Sequence, residues 1–387
     1  MKFIPYGHQD IDQNDVKAVL EILQSDWLTQ GPAIELFEET VSDYCGAKYA
    51  VSVNSATSAL HIACMAADLQ KDEYLWTTPN TFVASANCGL YCGAQVDFVD
   101  IDEQTYNMSA EKLEQKLQLA KKIGKLPKVI VPVHFSGQAC QMEKIHELSQ
   151  QYGFKIIEDA SHAIGGKYQE KPIGNCAYSD MTVFSFHPVK IVTTAEGGMV
   201  LTNNKELYEK LIRFRSHGIT RNPEYMTGDI HGPWYYRQIE LGYNYRMTDM
   251  QAALGTSQMK RIDEFIARRV ELAKRYTEKL QELPLVLPYQ HHDAYSAWHL
   301  YVIQIDFCKS KKSRKQVFEE LREQNIGVNV HYIPVHTQPY YQKLGFKNGD
   351  FKVAEHYYEQ AISIPVYYGL TNEEQDYVIA VLKKVLA

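Results

Sequence analysis

The sequence lacks the features that would assign it to several common classes of protein. No stretch approaches the roughly 18 consecutive apolar residues that a membrane-spanning helix needs, and the N-terminus MKFIPYGHQDIDQ has no apolar core of a secretory signal. Lys and Arg number 40 against 47 Asp and Glu, so the net charge of −7 provides no basic excess for nucleic acid or an anionic membrane. We therefore predict a cytoplasmic protein that binds neither.

The cysteines are few and follow no pattern. Seven are scattered along the chain, and the odd number argues against a complete set of disulfides. Cys88 and Cys92 have three residues between them, which is neither a zinc-site nor a thioredoxin spacing. We expect buried free thiols in a reducing compartment, and no metal site.

From about residue 48 onward, short apolar strands alternate with helices. The candidate strands are KYAVSV (48–53), LWTTP (75–79), VDFVDI (96–101), KVIVPVHF (128–135), KIIEDA (155–160), MTVFSF (181–186) and GMVLTN (198–203). Helices fit between most of them, notably at 141–152 and 204–215. This alternation is typical of a mostly parallel sheet covered by helices on both faces, so the pattern predicts an α/β fold.

The length of 387 residues favours two domains. A first helix is predicted in DQNDVKAVLEILQS from the helical spacing of Val16, Val19, Leu20 and Leu23. One long amphipathic helix, at about 257–284, is expected to connect the two domains. Beyond it the pattern predicts a strand in AWHLYVIQI, a helix in KSRKQVFEELREQ, a strand in VNVHYIPV and a terminal helix at 373–386. We predict a large domain at 10–255 and a smaller α/β domain at 256–387, with residues 1–9 near the mouth of the site.

Two segments bring polar groups to the ends of strands. In NSATSAL, backbone N–H groups at a helix start can bind a phosphate together with the hydroxyl groups; plain N-capping by Asn54 or Ser55 is the alternative. In KIIEDASHAIG, Glu158 and Asp159 end an apolar strand, where side chains of an open α/β sheet face the ligand crevice. A turn cap is the alternative there. His162 either braces Asp159 or is an ordinary histidine.

Two further segments contain residues that could belong to the same site. In SFHPVKIVTTAEGG, Lys190 lies between valine and isoleucine, which is unusual company for a solvated ammonium. Desolvation lowers the pKa of a lysine, and an amine must be uncharged to condense with an aldehyde. A surface lysine with a buried stem is the alternative. In GYNYRMTDMQAALG (242–255), a polar loop leads into an apolar helix, which is also what an interface helix would present.

In their order along the chain and in their residues, these segments resemble those of the sugar aminotransferases of the DegT/DnrJ/EryC1/StrS type, which have the aspartate-aminotransferase fold (fold type I). The resemblance runs along essentially the whole chain, from FIPYGHQDI through SDWLTQGP to SIPVYYGLT. SFHPVKIVTTAEGG is its most specific part, followed by RSHGI and GYNYRMTDMQAALG. Because NSATSAL, WLTQG, FRSHG and VHYIP occur together with it, the chain looks most similar to the C4 aminotransferases of pseudaminic acid biosynthesis.

The resemblance implies an enzyme that uses pyridoxal 5′-phosphate. Its catalytic residues would be Lys190, joined to the cofactor as a Schiff base, and Asp159, paired with the pyridine nitrogen. Phe82 would stack on the ring, with core packing as the alternative, and Asn244 would reach the phosphate from a neighbouring subunit. This last role implies a homodimer with a composite active site. The full expected cofactor shell is Ala56, Thr57, Phe82, Asp159, His162, Ser185, Lys190 and Asn244.

The same resemblance implies the substrates. L-Glutamate would donate the amino group, and the acceptor would be a UDP-linked 4-keto-6-deoxy-N-acetylhexosamine, giving the altrosamine product; another UDP- or dTDP-4-keto-6-deoxysugar is the alternative. The expected sugar-nucleotide contacts are Tyr6, Asp26, Trp27, Leu28, Thr29, Asn329, Val330, His331 and Tyr332. His331 and Arg215 are candidates to bind the diphosphate, and structural roles are the alternative for both.

Two other functions are disfavoured by the residues. A dinucleotide-binding dehydrogenase needs a glycine-rich turn after the first strand, and NSATSAL contains no glycine. A non-catalytic relative would not need Lys190 and Asp159, and both are present.

Overall fold

The computed structural model describes residues 2–386. Its α-helices are α1 Gln13–Leu23, α2 Pro32–Cys45, α3 Ala56–Ala66, α4 Ala84–Tyr91, α5 Ala110–Ile123, α6 Met142–Tyr152, α7 Lys205–Arg215, α8 Asp249–Met259, α9 Ile262–Leu280, α10 Arg314–Glu323, α11 Pro339–Gln342, α12 Lys352–Gln360 and α13 Asn372–Leu386. Short 3₁₀ helices lie at Phe135–Gly137, Pro223–Tyr225 and Val335–Thr337. None of the helices described in this range is long and apolar enough to cross a membrane.

The strands include all seven that the sequence predicts between residues 48 and 203. They are β1 Tyr49–Val53, β2 Tyr74–Thr77, β3 Gln95–Phe98, β4 Val129–Val131, β5 Lys155–Asp159, β6 Lys167–Tyr168, β7 Lys171–Pro172, β8 Met181–Ser185, β9 Gly198–Thr202, β10 Ile219–Thr220, β11 Arg237–Gln238, β12 Leu285–Val286, β13 Ala294–Tyr295, β14 Tyr301–Ile305 and β15 Ala361–Ile364.

The predicted strands form one seven-stranded sheet in the order β1-β9-β8-β5-β4-β2-β3. Strands β8, β5, β4, β2 and β3 pair in parallel, whereas β9 is antiparallel to both of its neighbours. Successive residues alternate between two hydrophobic clusters: Ala50 and Trp76 belong to one, Val51 and Leu75 to the other. A sheet buried on both faces explains why its strands are apolar throughout. The predicted α/β class with a mostly parallel sheet is confirmed.

The C-terminal part of the chain forms a second core. Its antiparallel sheet has the order β12-β14-β15, and helices α9, α10 and α13 contribute to the same hydrophobic cluster. Ile4 is fully buried in this cluster and bridges to Ile326, so the N-terminal residues lie against the C-terminal part. The predicted division at residues 255 and 256 stays a prediction.

Two predicted elements are wrong. The stretch 257–284 is not one helix, because α8 ends at Met259 and α9 begins at Ile262. Helix α8 packs on α1 and α2, whereas α9 belongs to the cluster of Ala50 and Trp76 in its first turns and to the C-terminal cluster from Leu272 onward. VNVHYIPV is not a strand, since Asn329 forms only an isolated bridge with Ser363. The backbone N–H of Val335 instead bonds Pro79 of the loop after β2, which draws this segment over the large sheet.

Helix α1 forms as predicted, but its apolar stripe is not buried. A capping box starts it at Asp12, whose side chain accepts from the backbone of Asn14 and Asp15. Val16, Leu20 and Leu23 are nevertheless about half exposed, at 51%, 49% and 54%. The buried side of this helix is carried by Asp15, which is bound by Arg261 and Gln258. The spacing of apolar residues therefore predicts the helix correctly, but it does not predict which face of the helix is buried within a single chain.

Candidate active site

A cavity of about 580 Å³ opens at the carboxyl ends of β5 and β8. Its volume lies in the range of small-molecule and cofactor sites. Of the residues predicted from the sequence, those that line it are Tyr6, Ala56, Thr57, Phe82, Asp159, His162, Ser185, Lys190, Asn329, Val330, His331 and Tyr332. Residues far apart in the sequence are thus brought together, as expected for a crevice at the carboxyl edge of an open α/β sheet.

Asp159 is the last residue of β5, and its carboxylate faces the cavity. Ser85 donates to one carboxylate oxygen at 2.6 Å, and the hydroxyl of Ser161 donates to the other at 2.6 Å. The backbone N–H of Ser161 also binds the second oxygen, at 3.1 Å. His162 does not brace Asp159, contrary to one of the two possibilities raised for it. The two serines hold the carboxylate in a fixed orientation.

Glu158, the neighbouring acid, points to the opposite face of the sheet. Its carboxylate bonds His134 at 2.6 Å and Thr182 at 2.9 Å, and it also accepts from Ser179. Side chains alternate across a strand, so only one of two consecutive acids can face the cavity. Glu158 therefore has a structural role, and Asp159 is the acid available to a ligand.

Lys190 follows β8 and projects into the cavity between Val189 and Ile191. Burial lowers the pKa of its ammonium from 10.5 to about 8, although the nearby Asp159 opposes this shift. Desolvation disfavours the charged form of an amine, so the uncharged fraction of Lys190 near neutral pH is far greater than that of a solvated lysine. This is the state in which a lysine reacts with an aldehyde.

The start of α3 forms a seat for an anion. Ser55 caps the helix through the N–H of Ser58, and Ala56 and Thr57 line the cavity with the first turn. The first N–H groups of a helix have no partner within it, and the helix dipole favours negative charge there. Gly198 makes this approach possible, because a β-carbon at that position would lie 2.5 Å from the backbone nitrogen of Ala56.

His162 and Tyr332 form a hydrogen-bonded pair on the cavity wall. The N–H of Ser136 binds Nδ1 of His162 at 3.3 Å, and the Tyr332 hydroxyl lies 3.1 Å from Nε2. With Nδ1 acting as an acceptor, the neutral imidazole carries its proton on Nε2 and donates it to the tyrosine oxygen. Burial and the charge of Lys190 lower the pKa of His162 well below its usual range, which keeps the ring neutral.

Three sets of predicted residues do not line the cavity of this chain. Arg215 bonds Glu38 at 2.5 Å and the carbonyl of Ser52 at 2.9 Å, so its guanidinium is used to hold the sheet edge and not a diphosphate. Asn244 bridges to Ser216, outside the cavity. The remaining set is the segment Asp26, Trp27, Leu28 and Thr29, which lies beside the start of α8, with Trp27 and Leu28 exposed.

Sequence reasoning missed several residues of the site, among them Ser161, Ser85 and His299. Ser161 could have been found, because an aspartate often accepts hydrogen bonds from the residue two positions later. Ser85 carries no such signal, since it reaches Asp159 from helix α4. His299, which lines the cavity directly before β14, stands in a run that reads as an ordinary strand.

The groups around the cavity suit a phosphorylated aldehyde with a basic ring nitrogen. Ala56, Thr57 and Ser185 supply donors for a phosphate, and a carboxylate held by two serines suits a protonated ring nitrogen. Lys190 supplies an amine whose lowered pKa makes the uncharged, reactive form available near neutral pH. Pyridoxal 5′-phosphate has these features, so the residues present fit this cofactor.

Comparison with known proteins agrees with this chemistry. The family described as "DegT/DnrJ/EryC1/StrS aminotransferase family" matches residues 9–383. The spore coat polysaccharide biosynthesis protein SpsC of Bacillus subtilis is 39% identical, covering 99% of this chain and 97% of its own. A UDP-4-amino-4,6-dideoxy-N-acetyl-beta-L-altrosamine transaminase of Campylobacter jejuni is 37% identical, with 99% and 98% covered.

A solved structure extends the likeness to three dimensions. Helicobacter pylori PseC, an aminotransferase involved in the biosynthesis of pseudoaminic acid, superposes with a TM-score of 0.90 at 33% identity, covering 100% of this chain and 99% of that one. A putative sugar aminotransferase of Streptococcus pneumoniae in its PLP form superposes with a TM-score of 0.88 at 28% identity, and both chains are covered completely.

Proposed function

This chain belongs to the DegT/DnrJ/EryC1/StrS aminotransferase family and is a transaminase that uses pyridoxal 5′-phosphate, and from that premise we propose its substrates. It transfers the amino group of L-glutamate to C4 of a UDP-linked 4-keto-6-deoxy-N-acetylhexosamine. The product is UDP-4-amino-4,6-dideoxy-N-acetyl-altrosamine, an intermediate of pseudaminic acid synthesis. Another UDP- or dTDP-4-keto-6-deoxysugar, used for a surface polysaccharide, is the second candidate; similarity to a spore coat polysaccharide protein favours it.

One observation carries the proposal. Lys190 and Asp159 face the same cavity, and the full length of the chain is similar to an altrosamine transaminase and to PseC. Transamination requires such a pair: an amine that carries a proton and a carboxylate that balances the charge of the ring nitrogen. The similarity along the whole chain supports the proposed substrate.

The bound cofactor supplies an electron sink that stabilises negative charge at the reacting carbon. Asp159, whose orientation the two serine contacts fix, would pair with the cofactor's ring nitrogen and favour the protonated form of that nitrogen. The uncharged amine of Lys190 accepts the proton from the α-carbon of glutamate. In the second half-reaction it returns a proton to C4 of the sugar.

The remaining cavity residues bind and orient. Ala56, Thr57 and Ser185 would hold the phosphate of the cofactor, and Phe82, which lines the same cavity and is 59% exposed, would pack against the cofactor ring. The rings of Tyr6 and His331, with centroids 5.4 Å apart, line the same cavity and would provide a surface for the sugar nucleotide.

We propose that the enzyme is a homodimer. Besides the exposed apolar stripe of α1, Trp27 and Leu28 after this helix and Leu36 on α2 are 55%, 48% and 53% exposed. Exposed apolar patches of this kind mark protein interfaces. A partner subunit on this face would bring its Asn244 to the phosphate and the Asp26–Thr29 segment to the substrate, which accounts for the absence of both from the cavity of a single chain.

A panel of nucleotide-linked keto-sugars tests the function. The purified holoenzyme is incubated with glutamate and each sugar, and the product is analysed by NMR for the configuration at C4. Turnover of the UDP-linked N-acetylhexosamine with amination at C4 is expected. If glutamate alone changes the visible absorbance of the bound cofactor but no keto-sugar is turned over, the transaminase assignment stands and the proposed substrate class is wrong.

A further inference from the structure

His299 lines the cavity and has a buried ring nitrogen without a partner in the described part of the chain. The residue is 4% exposed and lines the cavity, yet Nδ1 is buried without a hydrogen-bond partner among residues 2–386. Leaving a buried polar group unpaired destabilises the folded state, because the group loses its hydrogen bonds to water and gains none in return. Phenylalanine would fill similar space without this cost, so the presence of histidine indicates a contact with a ligand.

The neighbouring histidine is already satisfied. The rings of His299 and His162 lie 4.4 Å apart, centroid to centroid. Both nitrogens of His162 have partners, namely Ser136 and Tyr332, whereas His299 has none for Nδ1. Within this pair, His299 is therefore the side chain with hydrogen-bonding capacity left for a ligand.

The buried guanidinium of Arg269 lies next to the backbone of His299. Arg269 is 2% exposed, and its side chain bonds the carbonyl oxygens of Trp298, His299 and Val366. In the described part of the chain no carboxylate pairs with this guanidinium. Arg269 and Lys190 also line one small cleft. Asp159 and Glu196 are the acids on the cavity wall, and Asp159 already accepts from two serines.

The resulting field favours an anionic ligand at His299. Burial and the positive charges of Lys190 and Arg269 lower the pKa of His299 well below its usual range, so the ring is neutral in the free protein. A neutral imidazole donates through one nitrogen and accepts through the other. Beside Lys190 and Arg269, an imidazole N–H of a residue that lines the cavity suits a carboxylate oxygen.

We propose that His299, backed by Arg269, contacts a carboxylate group of the amino donor. This inference rests on the proposed function, because it needs an amino acid to enter the cavity. The other anion that the reaction brings is the diphosphate of the sugar nucleotide. The carboxylate is favoured because His299 and Lys190 line the same cavity wall, and the donor must present its α-carbon to Lys190.

Calorimetry on the holoenzyme tests the proposal with two probes. Glutarate carries the carboxylates of the donor without a reactive amine, and UDP carries the diphosphate. We expect His299→Phe to weaken glutarate binding about tenfold or more, the value of a hydrogen bond to a charged group. His299→Gln, which restores a donor, should stay within about threefold of the wild type, and UDP binding should not change in either variant.

Two results of the calorimetry would overturn the proposal. Unchanged glutarate binding in His299→Phe, or a loss of UDP binding alone, removes the carboxylate contact, and the second result assigns the residue to the diphosphate. His356→Gln, on the exposed surface of α12, is the matched control and should bind both probes as the wild type does. If His299→Phe does not fold, imidazole ¹⁵N NMR of the wild type decides: glutarate must shift resonances that are missing from His299→Gln.

Failure of the proposed function gives a different pattern. If the glutarate results are as expected but no keto-sugar is aminated, the carboxylate contact stands and the substrate class is wrong. If keto-sugars are aminated and His299→Phe binds glutarate normally, the function stands and this inference is wrong.

Discussion

Asp159 and Glu158 are consecutive in the sequence but leave β5 on opposite faces of the sheet. Asp159 is held by Ser85 at 2.6 Å within the cavity, and Glu158 is held by His134 at 2.6 Å in the core. The same side-chain chemistry therefore has two different consequences, one for catalysis and one for stability.

Exchanging each acid for its amide should separate these consequences. Asp159→Asn removes the counter-charge for the ring nitrogen, and we expect kcat to fall about 10²- to 10³-fold with little change in the free energy of unfolding. Glu158→Gln breaks a buried charged hydrogen-bond network and should cost about 1–3 kcal/mol of that free energy. Urea denaturation and steady-state kinetics measure both. Similar kinetic losses in the two variants would contradict this division.

The reactivity of Lys190 should follow its lowered pKa. Burial brings the pKa to about 8, and only the uncharged amine condenses with an aldehyde. The rate at which the apoenzyme takes up pyridoxal 5′-phosphate should rise as the pH increases through about 8 and level off above it. A lysine with the ordinary pKa of about 10.4 would still gain reactivity well above pH 9. Absorbance spectroscopy of cofactor binding over pH 6–10 distinguishes the two profiles.

Gly198→Ala should damage the phosphate seat. The new β-carbon would lie 2.5 Å from the backbone nitrogen of Ala56 and from the carbonyl group of Ser55, so the start of α3 must move away. We expect the affinity for pyridoxal 5′-phosphate to fall about tenfold or more, with about 1–3 kcal/mol of destabilisation from overpacking. Gly369→Ala is the control, because its nearest neighbours are 3.8 Å and 4.0 Å away. Equal cofactor affinity in both variants would rule out this role.

A charge on the apolar stripe of α1 should separate the proposed subunits. Leu20 is 49% exposed in the single chain, and burying an unpaired carboxylate in an interface is costly. Leu20→Glu should shift the protein from dimer to monomer in light scattering and lower activity with it. Leu119→Glu alters another exposed leucine, 62% exposed on α5, and should leave the mass unchanged. A wild-type protein that is monomeric at micromolar concentration would contradict the dimer.

The strands and the reactive groups could be predicted from local signals. The seven strands can be recognised in the sequence because a sheet buried on both faces favours apolar residues along the whole strand. Lys190 is identifiable from its valine and isoleucine neighbours, and its cavity position agrees with that reading. The failures concern contacts between distant segments: VNVHYIPV has strand-like residues, but its bond from Val335 to Pro79 bends it over the cavity.

The amino-acid sequence by itself determined the α/β class, the order of the strands along the chain and the presence of an amine and a carboxylate suited to the cofactor. These properties depend on periodicity and on chemical identity, which are local. Only the tertiary structure decided that Ser85 and Ser161 orient Asp159, that Arg215 is used within the sheet edge, and that His299 lines the cavity with Nδ1 unpaired among the described residues. Hydrogen bonds act over about 3 Å, so which groups satisfy one another is settled by packing between elements that are remote in the chain.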